Sequence, residues 1–120
     1  MNIRDYNAFC RKLPATTHVV QWGGSHVWKV GGKVFAIAGD DDGRFSVTFK
    51  VSELAFEILK DRRGLRPAPY LASRGFTWIQ HFARPGLSDT ALRDYMKQSH
   101  ALVAHGLSRR KRIELGLEKQ

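Results

Sequence analysis

Apolar residues recur along this chain with two different periods, and the switches between them mark its elements. Near the start, Tyr6, Phe9, Cys10 and Leu13 repeat at three- and four-residue spacing, the stripe of an amphipathic helix. Pro14 closes that stripe because it lacks the N–H that a further turn needs. The pattern predicts a first helix over residues 2–13 with Cys10 on its buried side. From His18 to Lys50 the period is two. His18–Trp22 and Ser25–Val30 read as strands around Gly23-Gly24, and Lys33–Ala38 follows Gly31-Gly32. A Gly-Gly pair between β-rich runs is a hairpin signal, since both positions take φ > 0 without a Cβ clash. A turn over Gly39, Asp40, Asp41, Asp42 and Gly43 leads to Arg44 and the alternation Phe45, Ser46, Val47, Thr48, Phe49, Lys50. That strand buries Phe/Val/Phe and wets Ser/Thr/Lys.

The second half returns to helical spacing. Ser52 is an N-cap for an apolar stripe of Leu54, Ala55, Ile58 and Leu59 that runs to Lys60. In Asp61–Tyr70, Pro67 and Pro69 remove donors and exclude helix or central strand, and Gly64 reads as a helix stop. Phe76–Gln80 is a further strand. Ser88 caps the longest helix, in which Leu92, Tyr95, Met96, Ser99, Leu102 and Val103 face the core until Gly106. Together these elements predict an α+β fold: an antiparallel sheet of about five strands with helices packed on one face. The other face is left open, which antiparallel sheets tolerate.

Composition narrows the partner. The 120 residues suffice for one core, and 42% hydrophobic with 11% aromatic residues describes a folded globule. The formal charge is +9, of which +3 lies in residues 107–120 and +6 in the first 106. A surplus of this size points to a polyanionic partner, because each Lys or Arg that neutralises a phosphate releases condensed counterions. Its competing reading is solubility alone. The polar start Met1–Tyr6 lacks the apolar core of a secretory signal, and no apolar run is long enough to span a bilayer. Cys10 stands alone, which fits a reducing compartment. The expectation is a cytoplasmic monomer without membrane contact.

Several blocks, in order and spacing, resemble the MmcQ/YjbR family of small bacterial proteins over nearly the whole length. They are Phe9-Cys10 with Leu13-Pro14, Trp28–Ala36, Phe49-Lys50, Arg66–Ala72, the strand over Phe76–Ile79, and Ser99–Val103. The chain departs from that pattern at His100, where Tyr is usual, and at Trp78, where a smaller residue is expected; both changes are read as touching a helix surface and a strand face. The resemblance implies a CyaY/frataxin-like fold over residues 1–106, with 107–120 as a basic C-terminal tail, and a DNA-binding role through two β-hairpin wings.

The residues themselves supply candidate contacts. Arg62, Arg63, Arg66 and Arg74 flank the Pro-rich loop and offer planar, permanently charged donors suited to phosphate oxygens. Lys29 and Lys33 bracket Gly31-Gly32, Arg44 follows the Asp-rich turn, Lys50 ends its strand, and Arg109 and Arg110 open a flexible basic tail that reaches Arg112. The bland alternatives are a solvated helix end for the arginines and edge protection by lysine for the strands. Asp40, Asp41 and Asp42 share one turn and repel phosphate at that tip; they lack calcium-loop spacing, so turn chemistry explains them. Trp78 shares a face with Phe76 and Gln80 and reads as core rather than as a base-stacking platform.

Catalytic patterns are missing from the sequence. His18, His26, His81, His100 and His105 form no HExxH and meet no cysteine pair, and no GxSxG or P-loop occurs. The first helix carries Arg4, Arg11 and Lys12 against Asp5, a poor iron surface. No metal or cofactor is expected. The expected function is non-enzymatic nucleic-acid binding, DNA before RNA, through phosphate contacts. The alternative is an adaptor that takes a protein or a small anionic ligand on the open sheet face.

Overall fold

In the computed structural model, residues 1–69 and 76–120 are described, with the Asp41 side chain left aside. The first helix, α1, spans Ile3–Lys12 and is capped by Asn2, whose side chain accepts the Asp5 N–H. Its buried positions are Tyr6 and Cys10. Four strands follow: β1 Thr16–Gln21, β2 Ser25–Val30, β3 Lys33–Asp41 and β4 Arg44–Lys50. Then come α2 Glu53–Leu59, β5 Leu65–Pro67, β6 Trp78–His81, α3 Asp89–His105 and α4 Arg109–Glu114.

The strands form one six-stranded sheet in the order β1-β2-β3-β4-β6-β5, antiparallel at every pairing. The sixth strand is β5, in the stretch whose prolines excluded a central position. It lies at the sheet edge, where Pro67 costs no ladder bond. β3 runs on to Asp41, so the β3–β4 connection is only Asp42-Gly43, both at positive φ, the two-residue turn that matches strand twist. Asp40 and Asp41 are thus strand residues, not turn residues. β1 stops at Gln21; Trp22 lies in the loop with φ +53 and is 63% exposed.

Trp28, Phe35, Ala36, Val47, Phe49 and Ile79 point from the sheet into one core with Tyr6 and Cys10 of α1 and Leu92, Met96 and Val103 of α3. Leu59 of α2 joins this core, with Ala55 and Phe56 half-buried beside it. Leu54 and Ile58, taken from sequence as part of the buried stripe, are instead 73% and 66% exposed. The apolar stripe is wider than the buried one: Ala55, Phe56 and Leu59 turn inward, although Leu54 and Ile58 are as apolar or more so. α3 differs similarly: Leu102 is partly exposed while His100 is buried, its ring nitrogen 2.8 Å from the Pro14 carbonyl oxygen and its ring edge-on to Phe35. His100 is therefore a core residue and not the surface position expected.

The segment after Gly106 is folded rather than a flexible tail. Leu107 is buried against Gly31, where a Cβ would come within 2.6 Å of a Leu107 methyl. Leu117 packs on the core, and Arg112 caps the carbonyls of His105 and Leu107. Among the described residues, no helix is long and apolar enough to cross a membrane.

Candidate nucleic-acid interface

Cross-strand register decides which side chains share the face away from the helices. One row across it reads Val19, Val27, Ile37, Thr48, Gln80, Arg66. Thr48 is buried within this row, so the polar side of β4 is less wet than its alternation implied. Lys29, Arg44, Lys50 and Trp78 belong to the same face, with Lys50 directly opposite Trp78. Trp78 is half-buried there, outside the hydrophobic core that its size had favoured.

Arg66 is held rather than loose. Its Nε donates to Gln80 Oε1 at 2.7 Å, and its guanidinium lies 4.3 Å above the Phe82 ring. This stacking and hydrogen bond hold a planar cation in place on the open face. Lys50 is anchored through its backbone, whose N–H donates to Ser99 Oγ.

The other predicted cations divide between the two ends of the sheet. At one end, Arg44 opens β4 and Arg62 and Arg63 precede β5. The Gly64 carbonyl accepts the N–H groups of Phe82 and Ala83, and the Arg63 carbonyl accepts that of Gly86, which stitches these loops together. Arg84 joins the group on the same stitched loop. It escaped sequence reasoning, although an Arg-Pro-Gly turn three residues after the end of β6 was there to be seen. Gly64 sits in this seam at φ +89, and a Cβ there would lie 2.2 Å from the Ala83 oxygen, so close approach rather than helix termination explains it.

At the other end lie Lys29, Lys33 and Lys50, about 20 Å away along a seven-residue strand. The β2–β3 tip between Lys29 and Lys33 is closed on one side by Leu107, so it is not a free wing. Arg109 and Arg110, placed from sequence in an unstructured tail, stand on α4 and pair with Glu118 and Glu114 at 3.2 and 3.4 Å. Arg74 lies outside the described residues.

Among the described residues, Lys29, Lys33, Arg44, Lys50, Arg62, Arg63 and Arg66 make no ion pair with a carboxylate. Cations are not confined to the open face, however: Arg4, Arg11, Lys12, Arg93 and Lys97 are exposed on α1 and α3. Asp40 and Asp42 are exposed at the far end of β3, next to the turn leading to Arg44.

Titratable groups are shifted at a few positions. Burial pushes the Cys10 thiol up to about 12. Burial lowers His81, and the Met1 amine bound to Asp89 holds that carboxyl below its usual range. Desolvation, then His26 and Arg11, lowers His18, whose Nε2 lies 3.1 Å from His26 Nδ1. No group of three or more His, Cys, Asp or Glu side chains among the described residues is arranged to hold a metal ion.

A helix-backed antiparallel sheet with a polar, cation-bearing open face places the chain among small α+β domains. It belongs to the YjbR family, whose family model matches residues 11–102. In fold it is similar to the crystal structure of the Deinococcus radiodurans protein DR2400, assigned the family-model domain DUF419. The TM-score is 0.83 and the identity 21%, over 99% of this chain and 91% of that one. A protein from Pseudomonas syringae is similar at a TM-score of 0.69 and 17% identity, over 86% of this chain and 99% of that one. No curated protein matches the chain.

Proposed function

We propose that this protein is a non-enzymatic nucleic-acid-binding module, with DNA its preferred partner. The observation that carries the reading is the set of seven cations, from Lys29 to Arg66, that find no carboxylate among the described residues while the α4 arginines do. Lys29, Lys50 and Arg66 contact phosphates from the open face, and Lys33, Arg44, Arg62 and Arg63 do so from its two ends. Arg109 and Arg110 contribute less, since their charges are already shared with glutamates. Among the described residues, nothing on this face is a recognition helix, so binding is of the backbone-reading kind. The reading goes with a monomeric cytoplasmic bacterial protein of frataxin-like layout, in which a reduced Cys10 stays buried.

Duplex DNA affinity measured by fluorescence polarisation over a range of salt tests this. Seven phosphate contacts give a slope of log K against log salt of about −6. A flat salt profile, or no binding at low salt, removes the proposal and leaves the adaptor reading.

A further inference from the structure

A cleft of about 600 Å³ opens between the start of β4, the segment after β6 and the first turn of α3. It lies at the end of the sheet, and among its lining residues Arg44 is shared with the open face. One wall is apolar, made by Phe45, Leu87 and Leu92. The rim is cationic. Val47 and His81 are directly opposite, and three residues on from each toward the cleft stand Arg44 and Arg84, both exposed and both lining it. Neither arginine is ion-paired among the described residues. The carboxylate on the lining, Asp89, is bound by the Met1 amine at 2.9 Å.

His81 lines the same cleft, and both of its ring nitrogens are sealed from solvent without a hydrogen-bond partner. Gly86 is packed against the ring so tightly that a Cβ would come within 2.2 Å of Nε2. A neutral imidazole carries one N–H and one lone pair, and a buried pair of this kind left unmet is an uncommon, costly state that calls for a missing partner. Two arginines and a histidine without partners among the described residues thus converge on one cavity of the volume typical of small-molecule sites.

We propose that this cleft binds a small organic anion: a phosphate monoester or carboxylate head between Arg44 and Arg84 and above His81, with an apolar body against Phe45, Leu87 and Leu92. Two guanidinium groups supply charge-assisted hydrogen bonds to the head, its negative charge acts through space on the enclosed His81 ring, and the apolar wall selects an organic anion over an inorganic one.

The test is a ¹⁵N–¹H NMR titration of the full chain at fixed ionic strength with phenyl phosphate, phenylacetate, inorganic phosphate and benzyl alcohol. The expected result is saturable shifts confined to residues 43–45 and 81–92 with at least one of the two aromatic anions. Inorganic phosphate binds at least tenfold more weakly and benzyl alcohol does not saturate. The better of the two aromatic anions also raises the His81 titration midpoint by about one pH unit, as an adjacent negative charge must. Arg84→Gln, an exposed substitution, weakens that probe at least fivefold. The proposal is overturned if neither anion saturates by about 10 mM, if the shifts spread over Lys29 and α4 as well, if inorganic phosphate binds as tightly, or if Arg84→Gln changes nothing. None of these probes is a nucleic acid, so the outcome is independent of duplex binding.

Discussion

The Ser99 hydroxyl donates to the Phe35 carbonyl at 2.6 Å, across 64 residues of sequence and entirely inside the core. Phe35 is the extra residue of a β-bulge, since Trp28 pairs with Ala36 and Lys29 with Val34. A bulged residue loses its ladder partner, and Ser99 replaces it. The same oxygen accepts the Lys50 N–H at 2.8 Å, so one hydroxyl on α3 fixes both the bulge in β3 and the end of β4.

Ser99→Ala leaves a buried carbonyl and a backbone N–H unmet at once. An unsatisfied buried group costs about 1–3 kcal/mol, so a loss of about 3 kcal/mol is expected. Urea denaturation checks it: the midpoint falls at unchanged slope. A loss below about 1 kcal/mol means that water or a shifted strand takes over the role.

Gly64 and Gly43 separate close approach from backbone strain. Both have positive φ, +89 and +78, but a Cβ on Gly64 meets the Ala83 oxygen at 2.2 Å whereas one on Gly43 meets nothing within 4 Å. Gly43→Ala is expected to cost only the left-handed penalty, about 1–2 kcal/mol. Gly64→Ala must also push apart the seam that joins the Arg62–Arg63 loop to the segment after β6. Its thermal midpoint falls well below that of Gly43→Ala; equal midpoints disprove the collision.

These two positions also show where sequence reading stops. Periods of two and 3.6, with Pro14, Ser52, Ser88 and the Gly-Gly pair, marked α1, β2, β4 and α3 nearly to the residue, because those signals are local. Gly64 was misread as a helix stop because its φ is local information but the Ala83 oxygen is not. Ser99 was assigned to the core face correctly, yet its partners lie in β3 and β4, which no spacing rule reaches. The cations tell the same story. Arg44, Arg62 and Arg66 were visible as charges, but the grouping of Arg84 with Arg44 depends on the β4–β6 register. The pairing of Arg110 with Glu114 was legible at i,i+4 spacing once residues 109–114 were taken as helix. The unbroken basic run 109–112 hid that helix.

Burial makes Cys10 a test of global opening. Its thiol is pushed up to about 12, so almost no thiolate exists near neutral pH, and the sulfur is enclosed in the core. Labelling by a disulfide reagent at pH 8 is expected to track the unfolding equilibrium across a denaturant series. Fast labelling in native buffer contradicts this.

His81 ties stability to pH with a definite sign. Burial lowers its pKa from the ordinary 6.5, so just below that value the unfolded chain binds a proton that the folded chain refuses. Stability therefore rises with pH through this window and is lost as pH falls from about 7 toward the lower folded value. His18, lowered by desolvation and by His26 and Arg11, adds in the same direction. His81→Phe keeps a flat ring under Gly86 without the titrating nitrogens. It is expected to flatten the acid limb of a stability-against-pH profile while leaving the His18 part. An unchanged limb removes His81 from the account.

Arg66 and Arg110 provide the sharpest comparison for nucleic-acid binding, because both are exposed and differ in what holds them. Gln80 and Phe82 fix Arg66 flat on the open face, where it meets no carboxylate among the described residues. Arg110 shares its charge with Glu114 at 3.4 Å on a different element. A pre-positioned free cation neutralises a phosphate at little entropic cost, whereas a paired one must first give up its glutamate. Arg66→Ala is therefore expected to weaken duplex DNA binding about five- to tenfold at low salt and to make the salt slope shallower by about 0.9, one phosphate contact. Arg110→Ala is expected to change affinity less than twofold and leave the slope alone. The opposite ranking moves the contact surface from the open sheet face to α4.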